Sequence, residues 1–224
     1  MKFRALAAVI AMSMIAGCAG VSRHEPVNLG VRKAELKRYQ ASGEYERGLT
    51  TVAEEASRWI ETRAAKRLQG ERLAVVFDID ETVLSNWENM VRDDFSYISE
   101  RWHAWVARAE AKVIVPVRET YRTARRAGVA VIFVTGRKEL DRTATELNLR
   151  QVGIGEYDAL IVWSKAEADA AGWKNTVEFK TAIRKRLTAE GWTIVANVGD
   201  QASDLAGGYA EKTFKLPNPF YLTE

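Results

Sequence analysis

The stretch Leu73-Ala74-Val75-Val76-Phe77-Asp78-Ile79-Asp80-Glu81-Thr82-Val83-Leu84-Ser85-Asn86 decides the fold. Leu73 to Phe77 is an apolar, β-rich run, which predicts a buried strand. It stops abruptly in Asp78, Asp80 and Glu81, with Thr82 two places after Asp80. In an α/β protein, carboxylates at the end of a parallel strand lie at the carboxyl edge of the sheet, where ligands bind. Asp78 and Asp80 point to opposite sides of an ideal strand, so both reach one site only if the chain leaves the strand there. Taken alone, the pattern also fits a polar turn in which Thr82 caps a helix.

Working outward, the chain repeats this theme. Tyr45, Leu49, Val52, Ala56, Trp59, Ile60 and Leu68 fall mostly at helical spacing, which predicts a helix over about 44–69, closed by Gly70. Pro116 suits a first helical position and Gly128 a stop, giving a helix over 116–127. Val129–Val134 is a second buried strand, ending at Thr135-Gly136-Arg137. A hydroxyl, a glycine and a helix start at a strand end suit a phosphate oxygen, or equally a plain strand-to-helix turn. Asp158–Trp163 is a third strand and Thr193–Val198 a fourth. The last runs into Gly199-Asp200-Gln201-Ala202-Ser203-Asp204-Leu205, whose two carboxylates, four residues apart, suit a hard cation. A helix over 175–190 carries Lys180 and Arg184 one turn apart, a spacing that usually marks a solvated face.

Between the first strand and the next helix lies an insertion, about 87–115, with Trp87, Phe95, Tyr97, Trp102 and Trp105. Ser99 is the expected cap of a helix running to about Lys112. Most of these rings are expected to pack the insertion onto the body, leaving one or two for a flat substrate group. His103 reads as a surface helix position.

The chain has 224 residues, 47% hydrophobic and 28% charged, enough for one domain with a sizeable core. Net charge is +3, and without Lys2 and Arg4 the balance falls to 31 basic against 30 acidic residues. That leaves no basic footprint for a nucleic-acid polymer. The single cysteine excludes an intramolecular disulfide. Lys2 and Arg4 precede an apolar run too short to span a bilayer, Ala5–Ile15, which reads as an export signal over 1–17. Ile15-Ala16-Gly17-Cys18 resembles a bacterial lipobox, the alternative being an ordinary signal peptide with a chance cysteine. The lipobox implies a lipidated Cys18 at the bacterial cell envelope, and Ala19 after it favours the outer membrane. Residues 18–43 are then a tether and 44–224 the domain.

FDIDETVLSN (77–86) resembles the first motif of the haloacid dehalogenase (HAD) superfamily, hhhhDxDx[TV]. Its wording is similar to the secreted acid phosphatases of that superfamily, the class B and class C group. That group includes bacterial lipoprotein acid phosphatases and plant vegetative storage proteins. VIFVTGR (131–137), VEFKTAIRKRL (177–187), GDQxSDL (199–205) and KLPNPFY (215–221) resemble its later segments. The resemblance implies a HAD-like Rossmannoid parallel sheet, helices on both faces, and a small helical cap. It implies hydrolysis of phosphate monoesters, 5′-nucleotides among them, through an aspartyl-phosphate. In that scheme Asp78 is the nucleophile and Asp80 the acid and base. Thr135, Gly136 and Lys180 bind phosphate. Mg²⁺ is held by Asp78, the Asp80 carbonyl and Asp200, with Asp204 beside it. Trp87, Phe95, Tyr97, Trp102 and Tyr221 are the expected pocket residues, Glu81 turns away and Thr82 braces the loop. Ser85 departs from the Asp-Asn wording of the bacterial class C enzymes. Two alternatives remain: a binding or storage lipoprotein on this fold, and a phosphotransferase.

Overall fold

Five parallel strands form the sheet: β1 (Arg72–Phe77), β4 (Ala130–Lys138), β5 (Ala159–Trp163), β6 (Trp192–Gly199) and β7 (Lys212–Lys215). Their order is β5-β4-β1-β6-β7. The computed structural model describes residues 25–223. β1 lies at the centre because the chain builds β4 and β5 on one side of it and then crosses to build β6 and β7 on the other. That reversal of direction opens a crevice at the carboxyl end of β1.

Side-chain alternation divides the core in two. Val75, Phe77, Val131 and Phe133 pack with Leu49, Ala56 and Ile60 of α2 (Glu44–Ala64) and Val117, Tyr121 and Ala124 of α5 (Val115–Arg126). Ala74, Val76, Ile132 and Val134 face the opposite way, onto Phe179, Ile183 and Leu187 of α8 (Thr176–Ala189). Period-two strands buried on both faces therefore need helices on both faces, as the sequence predicts. Local chemistry sets the ends. Pro116 opens α5, and Asn175 caps α8 by accepting from the Glu178 N–H at 3.0 Å.

The insertion is pinched at its base by a two-residue antiparallel ladder, β2 (Leu84–Ser85) with β3 (Lys112–Val113). Between them lie α3 (Trp87–Arg92) and α4 (Ser99–Ala107). The predicted helix to Lys112 is too long: Ala109 takes a positive φ of 52° and breaks it. Nor does Ser99 cap it; the cap position is Ile98, with no side-chain bond.

Other elements depart from expectation. Much of the predicted tether is helix α1 (Leu29–Ala41), capped by Asn28, whose Oδ1 accepts from the Gly30 N–H at 2.8 Å. It buries no residue, so it carried no apolar stripe to read. β4 runs four residues past its predicted end, through a shift in register against β5 between Thr135 and Lys138. A short 3₁₀ turn (Glu139–Asp141), α6 (Arg142–Gln151), α7 (Lys165–Ala171) and α9 (Ala202–Leu205) complete the frame. The leader, Cys18 and the first part of the tether lie outside the described residues. No described helix is long and apolar enough to cross a membrane.

Candidate active site

β1 and β6 pair until Phe77 meets Val198, and the Asp78 N–H still donates to the Val198 carbonyl at 3.0 Å. Asp78 is thus the last residue tied to the sheet. Beyond it the chain leaves the strand in a tight turn, the Ile79 carbonyl accepting from the N–H groups of Thr82, Val83 and Leu84. That exit brings Asp78 and Asp80 to one pocket despite their opposite strand parity. The pocket holds about 560 Å³ and is lined by Asp78, Asp80, Lys180, Asp200 and Asp204 among others.

Four carboxylates here face two cations. Lys180, buried in α8, binds Asp78 and reaches Asp204 at 2.5 Å. Burial lowers the Lys180 pKa, but Asp78 and Asp204 more than reverse this and hold the ammonium charged. One ammonium does not neutralise both partners. Burial first, then Asp204, Asp200 and Asp80, lifts the Asp78 carboxyl well above the usual range against the pull of Lys180. Asp200 is raised as well, by burial and then by Asp204. One carboxylate oxygen each of Asp78, Asp200 and Asp204 lies within 4.8 Å of the others. Hard oxygen donors in surplus over positive charge fit a divalent cation.

The second acidic pair is held as firmly as the first. Asp200 accepts from Thr82 Oγ1 at 3.0 Å, and from Gln201 Nε2 and Asn218 Nδ2, each at 2.7 Å. Asp204 folds back beneath the strand end, where a Cβ on Gly199 would meet the Asp204 Cβ at 2.5 Å. Only glycine allows that approach. Arg184, expected on a solvated face, is buried: it donates to the carbonyls of Asp204, at 2.7 Å, and Gly208, at 2.9 Å. It fastens the turn that carries Asp204, which the spacing of charges alone did not reveal.

Gly136 lines the pocket and Thr135 does not. Thr135 is fully buried and its Oγ1 accepts from the Arg137 N–H at 3.2 Å, so in this arrangement it braces the turn. Arg137, quoted in the sequence but given no role, lines the wall and binds the Asp80 carboxylate. Glu81 turns away as expected. It is buried at a φ of 53°, accepting from the Asn86 N–H at 2.5 Å and from Tyr221 Oη at 3.0 Å. Burial, then the charge of Asp80, pushes its pKa up to about 8.

Phe95, Tyr97, Trp102 and Tyr221 line the pocket, together with Phe220. Trp87 does not. Its ring packs between Phe95 and Phe220, with centroids at 5.9 and 5.1 Å, and belongs to the seam between cap and body. His103 is likewise no free surface residue; its Nδ1 lies 2.9 Å from Oδ1 of the buried Asp141. Trp105, within the cap helix α4, is buried.

Residues 19–224 match the family model for "HAD superfamily, subfamily IIIB (Acid phosphatase)". Acid phosphatase 1 of Solanum lycopersicum is 31% identical over 192 residues, covering 83% of this chain and 72% of that protein. The stem 28 kDa glycoprotein of Glycine max is 34% identical over 151 residues, covering 65% of this chain. The chain spans only 50–59% of the length of the soybean stem glycoproteins it matches. Among solved structures, the class C acid phosphatase from Bacillus anthracis superposes with a TM-score of 0.70 at 22% identity. It covers 87% of this chain and 86% of its own, a likeness of fold. The paired carboxylates at the end of β1, the acidic pair after β6 and the matched sequence agree, and the chain belongs to the HAD superfamily, subfamily IIIB acid phosphatases.

Proposed function

We propose that this chain is a Mg²⁺-dependent acid phosphatase that hydrolyses phosphate monoesters through an aspartyl-phosphate on Asp78. The observation that carries this reading is the meeting of Asp78, Asp80 and Lys180 with the Asp200–Asp204 pair in one pocket. Phosphate esters resist hydrolysis because their anionic oxygens repel nucleophiles, and a carboxylate nucleophile splits the reaction into two displacements. An Asp78 oxygen attacks phosphorus and the bond to the leaving oxygen breaks. Asp80 gives that oxygen its proton. Water then attacks the phosphorus of the aspartyl-phosphate, passing a proton to Asp80, and the bond to Asp78 breaks to release inorganic phosphate. Lys180 and the Gly136 backbone hold phosphoryl oxygens. When bound, Mg²⁺ would supply positive charge to the phosphoryl oxygens, held by Asp78, the Asp80 carbonyl and Asp200, with Asp204 beside it.

The aromatic wall of Phe95, Tyr97, Trp102 and Tyr221 favours esters with flat leaving groups, 5′-nucleotides among them. The leader and Ile15-Ala16-Gly17-Cys18 support a lipid anchor at the bacterial cell envelope, in the outer membrane. Hydrolysis is favoured over storage, the role named for the vegetative storage proteins of Arabidopsis thaliana, because the full set of carboxylates and Lys180 is retained. The test is to assay the purified domain against a panel of phosphate esters, with and without Mg²⁺. Metal-dependent release of phosphate supports the reading; a folded, metal-loaded protein inert towards every ester contradicts it.

A further inference from the structure

We propose that Asp80 is aimed by a chain of side chains anchored in the cap, so that the cap sets the geometry of the acid as well as enclosing substrate. The inference rests on Asp80 acting as general acid. Asn86 Nδ2 donates to Asp80 Oδ1 at 2.9 Å, and Arg137 donates to the same oxygen through Nη2 at 2.7 Å and Nε at 3.1 Å. Oδ2 receives only the long 3.2 Å contact from Arg137 Nε. Oδ1 is therefore committed to its partners, and Oδ2 is the oxygen left to exchange a proton. When the acid acts, the bond from hydrogen to Oδ2 breaks as one forms to the leaving oxygen.

Both partners of Asp80 are themselves fixed. Asn86 is fully buried and its Oδ1 accepts from Trp105 Nε1 of α4 at 2.8 Å, which sets which end of the amide faces Asp80. Arg137 is buried, and its Nη1 donates to Thr145 Oγ1 at 3.0 Å, whose hydroxyl donates to the Asp141 carbonyl at 2.8 Å. The Trp102 ring of α4 lies 5.8 Å from the Arg137 guanidinium. Two tryptophans of one cap helix thus brace the two groups that grip Asp80. A planar guanidinium holds a carboxylate through several bonds at once, which a lysine ammonium does not reproduce.

The test measures kcat and KM of Arg137→Lys, Trp105→Phe and Asp80→Asn on an alkyl and an aryl phosphate, in the Mg²⁺-loaded enzyme. Poor leaving groups need the proton most. Misaiming the acid should cut kcat/KM, which reports the first displacement, on the alkyl ester by roughly 10²-fold for Arg137→Lys, with much less loss on the aryl ester. Trp105→Phe, which keeps an aromatic ring, though a smaller one, and removes the N–H, should lose less in the same pattern. If Trp105→Phe fails to fold, Asn86→Ser tests the same link. Equal losses on both esters in Arg137→Lys and Trp105→Phe, beside a leaving-group-dependent loss in Asp80→Asn, overturn the positioning chain alone. A loss in Asp80→Asn that ignores the leaving group overturns the acid assignment beneath it.

Discussion

The floor of the pocket and its wall are made by different means. The floor is placed by the sheet: Asp78 follows β1 and Asp200 follows β6, and parallel register brings those two strand ends together. The wall is an insertion of two short helices on a two-residue ladder, whose position depends on side-chain contacts such as Trp87 with Phe220 and His103 with Asp141. A floor built from backbone register tolerates little variation in chemistry and much in packing. A wall built from side chains is the reverse. Substitutions in the floor should therefore change whether the reaction occurs, and those in the wall should change which esters it favours.

The sharpest break is Asp78→Asn, nearly the same in shape and a poor nucleophile. Loss of a nucleophile costs roughly 10⁴-fold or more in kcat, and here it should leave the melting temperature close to wild type or above it, since burial and the neighbouring carboxylates disfavour the charged form of Asp78. Residual turnover of a few per cent in folded protein would remove Asp78 from that role. Asp80→Asn should cost about 10²- to 10⁴-fold, least for aryl phosphates. Asp200→Asn should weaken metal affinity by roughly 10- to 100-fold, read by titrating Mg²⁺ into EDTA-treated enzyme. An unchanged half-saturation would take Asp200 out of the metal site.

The wall gives smaller effects. Replacing Phe95 or Tyr97 by Leu should cost about 1 kcal/mol, roughly fivefold in kcat/KM, on 5′-AMP, and almost nothing on glycerol phosphate. A matched loss on both esters would make the rings structural. Smallest in activity, yet visible in stability, is Glu81→Gln. With its pKa pushed up to about 8, the folded form keeps a proton that the unfolded form releases near pH 4.5. In metal-free protein this stabilisation is complete below about pH 4.5 and is lost as pH rises towards 8, by at most roughly 1.4 kcal/mol per pH unit. Denaturant unfolding across that window should show a shallower slope for Glu81→Gln. Parallel slopes would mean that Glu81 titrates normally.

The same division decides what was legible in the sequence. The cores of β1, β4, β5 and β6 and the floor carboxylates were readable because an apolar run that ends in Asp marks itself, whereas β4 overran its Thr-Gly and the short β7 was not read. The helices α2, α5 and α8 were readable by period and by stops such as Gly70 and Gly128. α1 was not, because it buries nothing. Arg184 was assigned to solvent because spacing alone does not reveal which carbonyls a side chain meets across the fold. Trp87 and Trp102 looked alike as cap aromatics, yet one lies in the seam and the other lines the pocket, a distinction made by contacts with residues distant in sequence such as Phe220. Arg137 stood in a recognised segment without a role, since its partner Asp80 is 57 residues away.

The proposed route carries the phosphoryl group through Asp78. Asp80→Asn offers the cleanest trap: an aryl leaving group departs without an acid, while the second step lacks the base that activates water. Mixing this variant with an aryl phosphate and Mg²⁺, quenching in acid and mapping peptides by mass spectrometry reads the intermediate directly. The account predicts a burst of about one phenol per enzyme and a phosphoryl group on Asp78, absent when Asp78→Asn is added to the same background. Turnover with Asp78 unmodified, or phosphate on another residue, would contradict it.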